Sequence, residues 1–387
     1  MTAAGSGLAV GTQPATAALD AALEAMAAAG SDRADLVLVF VTGETYRAAH
    51  EMLHAVRRVT GARVVVGASG AGVLCERREV EGDLAVAVLA VRDERLVATP
   101  FLVPDQAAAG ADIGRAVAAQ VSSTVAEGGC VFALPDVAGF QPSALFEGLE
   151  AELGRVPIVG AVAAGTPMFE LYATDARRGA LPGIALSGPR PIIGVAQGCT
   201  PIGEPYVVTR ADGNVVLEIG SRPALAVLRE AVSSIPGGTE RAQRAGIFAG
   251  LAVDPAKSPL GRGDFLVRNL VGADPSAGAI AVADAVHVGQ TLQFHVRDAA
   301  ASREDLDITL TRVMRALDGR RPAFGCYFDC AGRGQGLYGV PDHDIALIRK
   351  HLGIFPLAGF FGNGELAPVG ARNFFHTYTG VLVVFPA

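Results

Sequence analysis

The chain reads as an α/β protein, a mixed α+β fold of two domains carrying repeated strand–helix–strand units and mixed sheets. Three observations predict this. First, 387 residues, half of them hydrophobic and 18% charged, hold more apolar material than one ordinary core needs. Second, one pattern recurs three times: an apolar strand, an amphipathic helix closed by Gly, and a second strand that runs into a Gly-rich turn. Third, the spacing is nearly constant. Leu36 to Gly67 is 31 residues, Cys130 to Gly160 is 30, and Phe324 to Gly359 is 35. A unit of that length suits a right-handed parallel crossover.

In chain order, residues 1–34 read as an N-terminal helical segment around "ATAALDAALEAMAAAG". The first domain follows over 35–200. Its first copy is "LVLVF", "GETYRAAHEMLHAVRRVTG" and "ARVVVGASGAG"; its second is "CVFALP", "PSALFEGLEAELG" and "VPIVGAVAAG". The second domain, 201–387, begins with a different region. "PYVVTRADGNVVLEIG" predicts a hairpin turning at Asp-Gly-Asn. Next come a helix at "SRPALAVLREAVSS", a strand-rich meander at 263–298 and a helix at "SREDLDITLTRVMRALDG". The third copy closes the chain with "AFGCYF", "PDHDIALIRKHLG" and "FPLAGFFGNGEL". In its helix Ile345, Ile348 and Leu352 share a face, Asp342 stands at the N-cap and Gly353 ends the helix. Each copy is trailed by a further strand: "LAVAVLAV", "GIALSG" and "TGVLVVF". Three generic units and one triplicated unit would both give this pattern.

Composition narrows the function. The net charge is −7, and lysine occurs only at Lys257 and Lys350. Without a basic stripe to neutralise phosphates, nucleic acid is an unsuitable partner. No Lys or Arg precedes Arg33, and no apolar run reaches membrane length. A cytoplasmic protein with no membrane insertion is expected. The five cysteines, at 75, 130, 199, 326 and 330, are scattered and odd in number, which predicts reduced thiols and no zinc site.

Three motifs invite functional readings. "HEMLH" matches H-E-x-x-H, with His50 and His54 as metal ligands and Glu51 as base. The third ligand is missing, since the chain leaves the helix at Gly61 for a strand. The apolar face of Tyr46, Ala49, Leu53 and Val56 turns His50 and Glu51 toward solvent. A chance match on a polar helix face is the better reading. "GQGLYG", Gly334–Gly339, is a literal G-x-G-x-x-G, but its helix is expected to start only at Asp342, too late to hold a pyrophosphate. "GASGAG" approaches a nucleophile elbow at Ser69 and fails at Ala71. It reads as a tight turn.

"FDCAGRGQGLYG" together with "PLAGFFGNGELAP" resembles the C-terminal signature of the FIST family. The matching positions are Cys330, Gly332, Arg333 and Gly334, then Gly359, Phe360, Gly364 and Glu365. The similarity extends over about 35–385, through "GCTPIGEPYVVTRADGNVVLEIGSRPAL", the strand region after it, and the generic "ARVVVGASGAGVL". Ile219 departs from the pattern, where an acidic residue is common. The resemblance implies a bacterial sensory module for intracellular signal transduction. It also implies a small-molecule ligand such as an amino acid, and a signalling partner such as a kinase. Its alternative is a haem-binding nitric-oxide sensor. No cofactor is otherwise required.

The residues suit such a ligand. Gly332, Gly334 and Gly336 let backbone amides point into a cleft. Arg333 can grip a carboxylate, Glu365 can hold an ammonium, and Asn363 offers both donor and acceptor. Cys330 near Arg333 is either a reactive thiol or a small buried residue. Ser69 joins this candidate set from the N-half turn. The competing reading pairs Arg333 with Glu365 across the turn. Tyr338 and Phe360 read as core. For haem, the candidate ligands are His287, His295 and His376, the first two eight apart and so on one face of an extended strand. No catalytic or metal-binding residue is assigned. A hydrolase using Cys330, or His50, Glu51 and His54, is the enzyme alternative.

Overall fold

Three copies of one strand order build the larger of two units. The computed structural model describes residues 2–125, 129–235, 240, 245–254, 257, 259–261 and 263–387. The first copy runs β1 (Ala3–Val10), α1 (Pro14–Ala29), β2 (Leu36–Thr42), a 3-10 turn (Gly43–Ala48), α2 (Ala49–Thr60), β3 (Val64–Gly70), the hairpin β4 (Gly72–Cys75) and β5 (Glu79–Glu81), and β6 (Ala85–Arg92). The second runs β7 (Val97–Val103), α3 (Gln106–Ala109), α4 (Ile113–Val125), β8 (Cys130–Ala133), α5 (Pro142–Leu153), β9 (Ile158–Ala161), the hairpin β10 (Glu170–Tyr172) and β11 (Asp175–Arg177), and β12 (Leu181–Ser187).

The third copy opens with β13 (Ile192–Gln197) and is then interrupted. The intervening chain forms β14 (Cys199–Asp212), β15 (Val215–Ile219), β16 (Arg222–Pro223), α6 (Ala224–Ser233), β17 (Ile247–Ala252), β18 (Phe265–Asp274), β19 (Ala279–Val282) and β20 (Thr291–Arg297). The copy resumes with α7 (Ala299–Leu317), β21 (Pro322–Cys330), α8 (Gly334–Tyr338), α9 (His343–Leu352), β22 (Leu357–Gly362), the hairpin β23 (Glu365–Val369) and β24 (Arg372–His376), and β25 (Thr379–Pro386).

The three sheets of this unit have matching orders: β1-β6-β2-β3-β10-β11, β7-β12-β8-β9-β23-β24, and β13-β25-β21-β22-β4-β5. In each, the first crossover pair is parallel and the trailing strand returns antiparallel. Each hairpin leaves its own copy and completes the sheet of another, in a cycle: first to third, second to first, third to second. Registers fix the equivalence. Val39 pairs with Gly67, Ala133 with Gly160, and Tyr327 with Gly359.

Both faces of these strands are covered, so they read as continuous apolar runs rather than alternating ones. Leu36, Leu38 and Phe40 enter a core shared with Phe132, Phe328, Phe360 and Phe385. Val37, Val39 and Val41 face α1 and α2 instead. On the second sheet, Val131 and Ala133 pack with residues of α4 and α5.

Compactness does not follow the linear halves. One unit comprises 1–195, 306–375 and 379–387; the other is 196–305 with 376–378. The smaller unit has the strand order β14-β20-β17-β18-β19-β15-β16, and β14 also pairs β15, which closes a ring of six antiparallel strands around Val216, Leu251, Ile280 and Phe294. The expected hairpin is present as β14 and β15.

Three expectations are corrected. Residues 1–34 are not helical throughout, because Ala3–Val10 is a strand paired along its whole length with β6. Gly5 and Gly7 lie so close to α1 that a Cβ there would fall 2.1 and 2.2 Å from the carbonyl oxygens of Ala25 and Ala21. Next, a short helix, α8, starts at Gly334 itself, ahead of the one at His343. Lastly, His287 and His295 do not share a strand. His295 lies in β20, and His287 precedes it in a turn whose amide bonds Gln290 Oε1.

Candidate functional site

The site grows from the end of β21, where an apolar strand delivers two unlike side chains. Asp329 is the last residue but one of the strand and is fully buried. Arg333, one turn on, has a side chain with no exposure at all. Its Nε lies 2.7 Å from Asp329 Oδ1, and its Nη2 donates to Asp344 Oδ2 at 2.7 Å. The guanidinium also stacks toward Tyr338, 5.8 Å from the ring centre. Asp344 receives two further donors, the Tyr327 hydroxyl at 2.7 Å and His343 Nδ1 at 2.7 Å. The Tyr338 and His343 rings stack at 3.5 Å and roof this group.

A carboxylate pair from the β4–β5 hairpin completes it. Glu79 Oε1 accepts the Asp344 and Ile345 amides at 3.1 and 3.0 Å, capping α9. The residue expected as that cap, Asp342, bonds instead to the Glu79 amide at 2.6 Å and adopts φ 57°. Glu81 Oε1 accepts the Gln335 amide at 2.8 Å. Gly334 permits this with φ +59°, and a Cβ there would sit 2.5 Å from the same carboxylate. The Gly-rich backbone therefore does hold an anion, and the anion is the protein's own Glu81.

The electrostatics follow from four acids around one Arg. Burial alone would raise the Asp344 carboxyl, but Arg333 and the bonds from His343 and Tyr327 outweigh it and hold Asp344 well below the carboxylate range. Burial dominates at Asp329 and pushes it well above that range, Arg333 notwithstanding. Asp344 is thus the partner that carries the charge. Glu79 is pushed up to about 8 by burial and then by Asp344. Glu365 is pushed up to about 8 by burial, although its Oε2 accepts the Thr379 hydroxyl at 2.6 Å. Three oxygens here have no hydrogen-bond partner: Glu79 Oε2, Asp329 Oδ2 and Glu365 Oε1.

Glu365, in the second sheet, has a counterpart in the first. Glu365 opposes Ala161 and Glu170 opposes Ala68, equivalent positions one residue past the shared glycines. Glu170 is fully buried and is pushed up to about 9 by burial and by Asp136. Its Oε2 accepts the Ala180 amide as Glu365 accepts the Thr379 amide. Val73 holds the equivalent position in the third sheet.

These raised carboxyls fix a pH dependence. The folded chain keeps protons on Glu79, Glu170 and Glu365 that the unfolded chain releases near its ordinary value of 4.5. Their contribution is complete below about pH 4.5 and is lost as pH rises through 8 to 9. The urea midpoint is expected to fall from pH 6 to pH 9, with a shallower fall in Glu170→Gln. An equal slope in wild type and variant would refute the assignment.

The expected residues fall into two groups. Cys330, 7% exposed, directs its thiol to Glu365, and with Arg333 these make one cluster. Gly332 and Gly334 lie in its covering turn. Ser69 and Asn363 direct their polar groups to the second copy's turn. Ser69 Oγ donates to the Ala164 carbonyl at 2.8 Å and accepts the Phe169 amide at 2.9 Å. Asn363 Nδ2 donates to the Ala163 carbonyl at 3.0 Å. Asp329, Asp344, Glu79, Glu81, Tyr327 and His343 escaped the sequence reading. Only Asp329, an acid inside an apolar strand, carried a local signal.

Other candidates are placed as follows. His295 is a poor axial ligand for haem. It is 2% exposed, edge-on to Phe265 at 5.0 Å, with Nδ1 on the Gln293 carbonyl, and burial lowers it to about 4. Among the described residues, no group of three or more His, Cys, Asp or Glu is disposed to hold a metal. No helix among them is long and apolar enough to cross a membrane. All five cysteines are buried.

Comparison with known proteins agrees with the motif. The FIST N domain matches residues 35–222 and the FIST C domain residues 224–368. An uncharacterized protein of Mycobacterium tuberculosis is 42% identical over 258 residues, 65% of this chain and 67% of its own. One of Mycobacterium bovis is 36% identical over 380 residues, 95% of this chain and 96% of its own. A solved cyanuric acid hydrolase aligns over 100% of both chains at 12% identity with a TM-score of 0.34, a likeness too low to carry an argument. The chain belongs to the FIST family, whose domains are associated with sensory and signal-transduction proteins.

Proposed function

We propose that this FIST protein is a cytoplasmic sensor for a small molecule bearing an amino group, of the amino-acid class. The ligand is received at the Arg333 cluster. One observation supports the reading above others: three buried carboxyl oxygens of this cluster, on Glu79, Asp329 and Glu365, have no hydrogen-bond partner. Buried polar atoms are ordinarily paired, and those that are not call for an explanation. An ammonium has three donors and a positive charge, so it can satisfy such oxygens and replace the protons that burial forces onto Glu79 and Glu365. The ligand's carboxylate would take the Gln335 amide now held by Glu81, the half-buried member of the group.

Binding then requires the β4–β5 hairpin to move, because it carries both Glu79 and Glu81. That hairpin belongs to the first copy and its sheet to the third. A ligand that displaces it couples two copies, and a partner protein such as a kinase would read the change. The buried, scattered cysteines agree with a reducing compartment.

A thermal-shift and native-mass-spectrometry screen of amino acids and simple amines tests this. At a hundredfold excess over Kd a true ligand stabilises by about 2.7 kcal/mol. The shift should vanish in Glu365→Gln, which can keep the Thr379 contacts and cannot release a proton to an incoming ammonium. No shift with any amine, or an undiminished shift in the variant, would overturn the reading. An absorbance spectrum of protein from its own host checks the haem alternative.

A further inference from the structure

We propose that His50 and His54 form a surface site for a late first-row divalent metal ion, Zn2+ or its neighbours Ni2+ and Cu2+. The inference is independent of the Arg333 cluster and of the ligand assigned there.

The two residues are four apart on α2, so they stand on one face, one turn from each other. Their ring centroids lie 4.4 Å apart with planes at 74°. Both side chains are exposed. The hydrogen bond of His50 carries the argument further. Its Nδ1 lies 3.0 Å from the Thr174 carbonyl oxygen. A carbonyl can only accept, so Nδ1 holds the proton and donates. In the neutral ring Nε2 is then left with its lone pair, the form that binds a metal. Ring nitrogens that ligate metals are commonly oriented by such a bond from the opposite nitrogen. Asp175 Oδ1 lies 3.7 Å from the same Nδ1, on the side of the ring away from Nε2.

This orienting contact comes from the β10–β11 hairpin, which is donated by the second copy. It is invisible to the H-E-x-x-H pattern, which by itself predicts only the spacing. Beside the pair lies a groove of about 520 Å³, lined by Thr16, Leu19, Glu51 and Arg58 among others. It leaves room for the waters that must complete the coordination. Two imidazoles are fewer protein ligands than structural or catalytic zinc sites use, and Arg58 opposes a cation. The site is therefore open and of moderate affinity. Imidazole ligands favour Zn2+, Ni2+ and Cu2+ over Mg2+ and Ca2+.

The test uses the full chain without an affinity tag, stripped with chelator and dialysed. Zn2+ and Ni2+ are titrated calorimetrically into wild type, His50→Ala and His54→Ala, with circular dichroism to confirm the fold. One ion per chain is expected in wild type, and each variant should bind at least about tenfold more weakly, the scale of a disrupted metal site. Mg2+ should give no heat. Absence of binding in wild type overturns the proposal. So does binding that changes less than about twofold in both variants, which would place the ion elsewhere. The substitutions lie on an exposed helix face, so loss of binding is separable from loss of fold.

Discussion

Arg333→Ala should lower folding stability by about 3–5 kcal/mol, because it removes the one cation from a fully buried group of acids. Asp344 would lose its strongest partner, and its charge would remain in a site that only the Tyr327 hydroxyl and His343 still serve. Since whole domains are stable by about 5–15 kcal/mol, the variant sits near the edge of folding. Urea unfolding at pH 7 measures this directly. The neighbouring acids should behave unequally. Asp344→Asn removes the charged member of the pair and strands Arg333, so it belongs with the severe variants. Asp329→Asn replaces a carboxyl that burial already keeps protonated, and a loss under about 1 kcal/mol is expected, as for an exchange that leaves no new charge unpaired. Equal losses at Asp329 and Asp344 would show that the charge is shared, not held by Asp344.

The contrast bears on the candidate site as well as on stability. A ligand carboxylate at Arg333 would have to compete with Asp344 for a guanidinium that is wholly buried. An ammonium faces no such competitor, since what the cluster has in surplus is carboxyl oxygen. That is why the amine side of an amino-acid-like ligand is the better anchored expectation, and why Glu365 is the more informative residue to change.

The fold was legible where local pattern decides it. Strand, helix and strand in each copy were readable because Gly-closed helices and apolar strands of crossover length leave few alternatives. The trailing strands were readable too, since "LAVAVLAV" and "TGVLVVF" have no helical period. What sequence could not convey was the exchange of hairpins. "VLCERREVEG" offers no sign that it will complete a sheet more than 280 residues away, and the pairing of Cys75 with Ala358 is a tertiary fact. The site inherits that limit. Arg333 and Cys330 were found because they lie in one short motif. Glu79 and Glu81 were not, because their partners Ile345 and Gln335 are 266 and 254 residues distant. The strand at Ala3–Val10 was missed for a related reason. Two glycines and three alanines read as poor strand formers, yet they suit a strand that a helix presses closely.

Gly359→Ala is expected to prevent folding of the larger unit. A Cβ built at Gly359 lies 1.7 Å from the Tyr327 carbonyl oxygen, a distance no side-chain adjustment relieves because the obstacle is backbone. The same contact recurs in each copy: Gly67 meets the Val39 carbonyl at 1.7 Å, and Gly160 meets that of Ala133 at 2.0 Å. These pairs occupy one register position of the parallel crossover, so the repeated unit itself, rather than any ligand, demands glycine there. Overpacking in a core ordinarily costs about 1–3 kcal/mol, and a backbone clash this short exceeds that range. Gly336→Ala is the matched control. Nothing lies within 4 Å of a Cβ there, and the residue sits in α8. Helical Gly to Ala should be neutral or stabilising by about 0.5–1 kcal/mol. Soluble yield and circular dichroism of the four variants decide the matter. If Gly67→Ala, Gly160→Ala and Gly359→Ala all fail while Gly336→Ala folds, the three copies share one steric rule. A folded Gly359→Ala would mean that β21 and β22 can separate without loss of the sheet, and the equivalence of the copies would then be one of strand order alone.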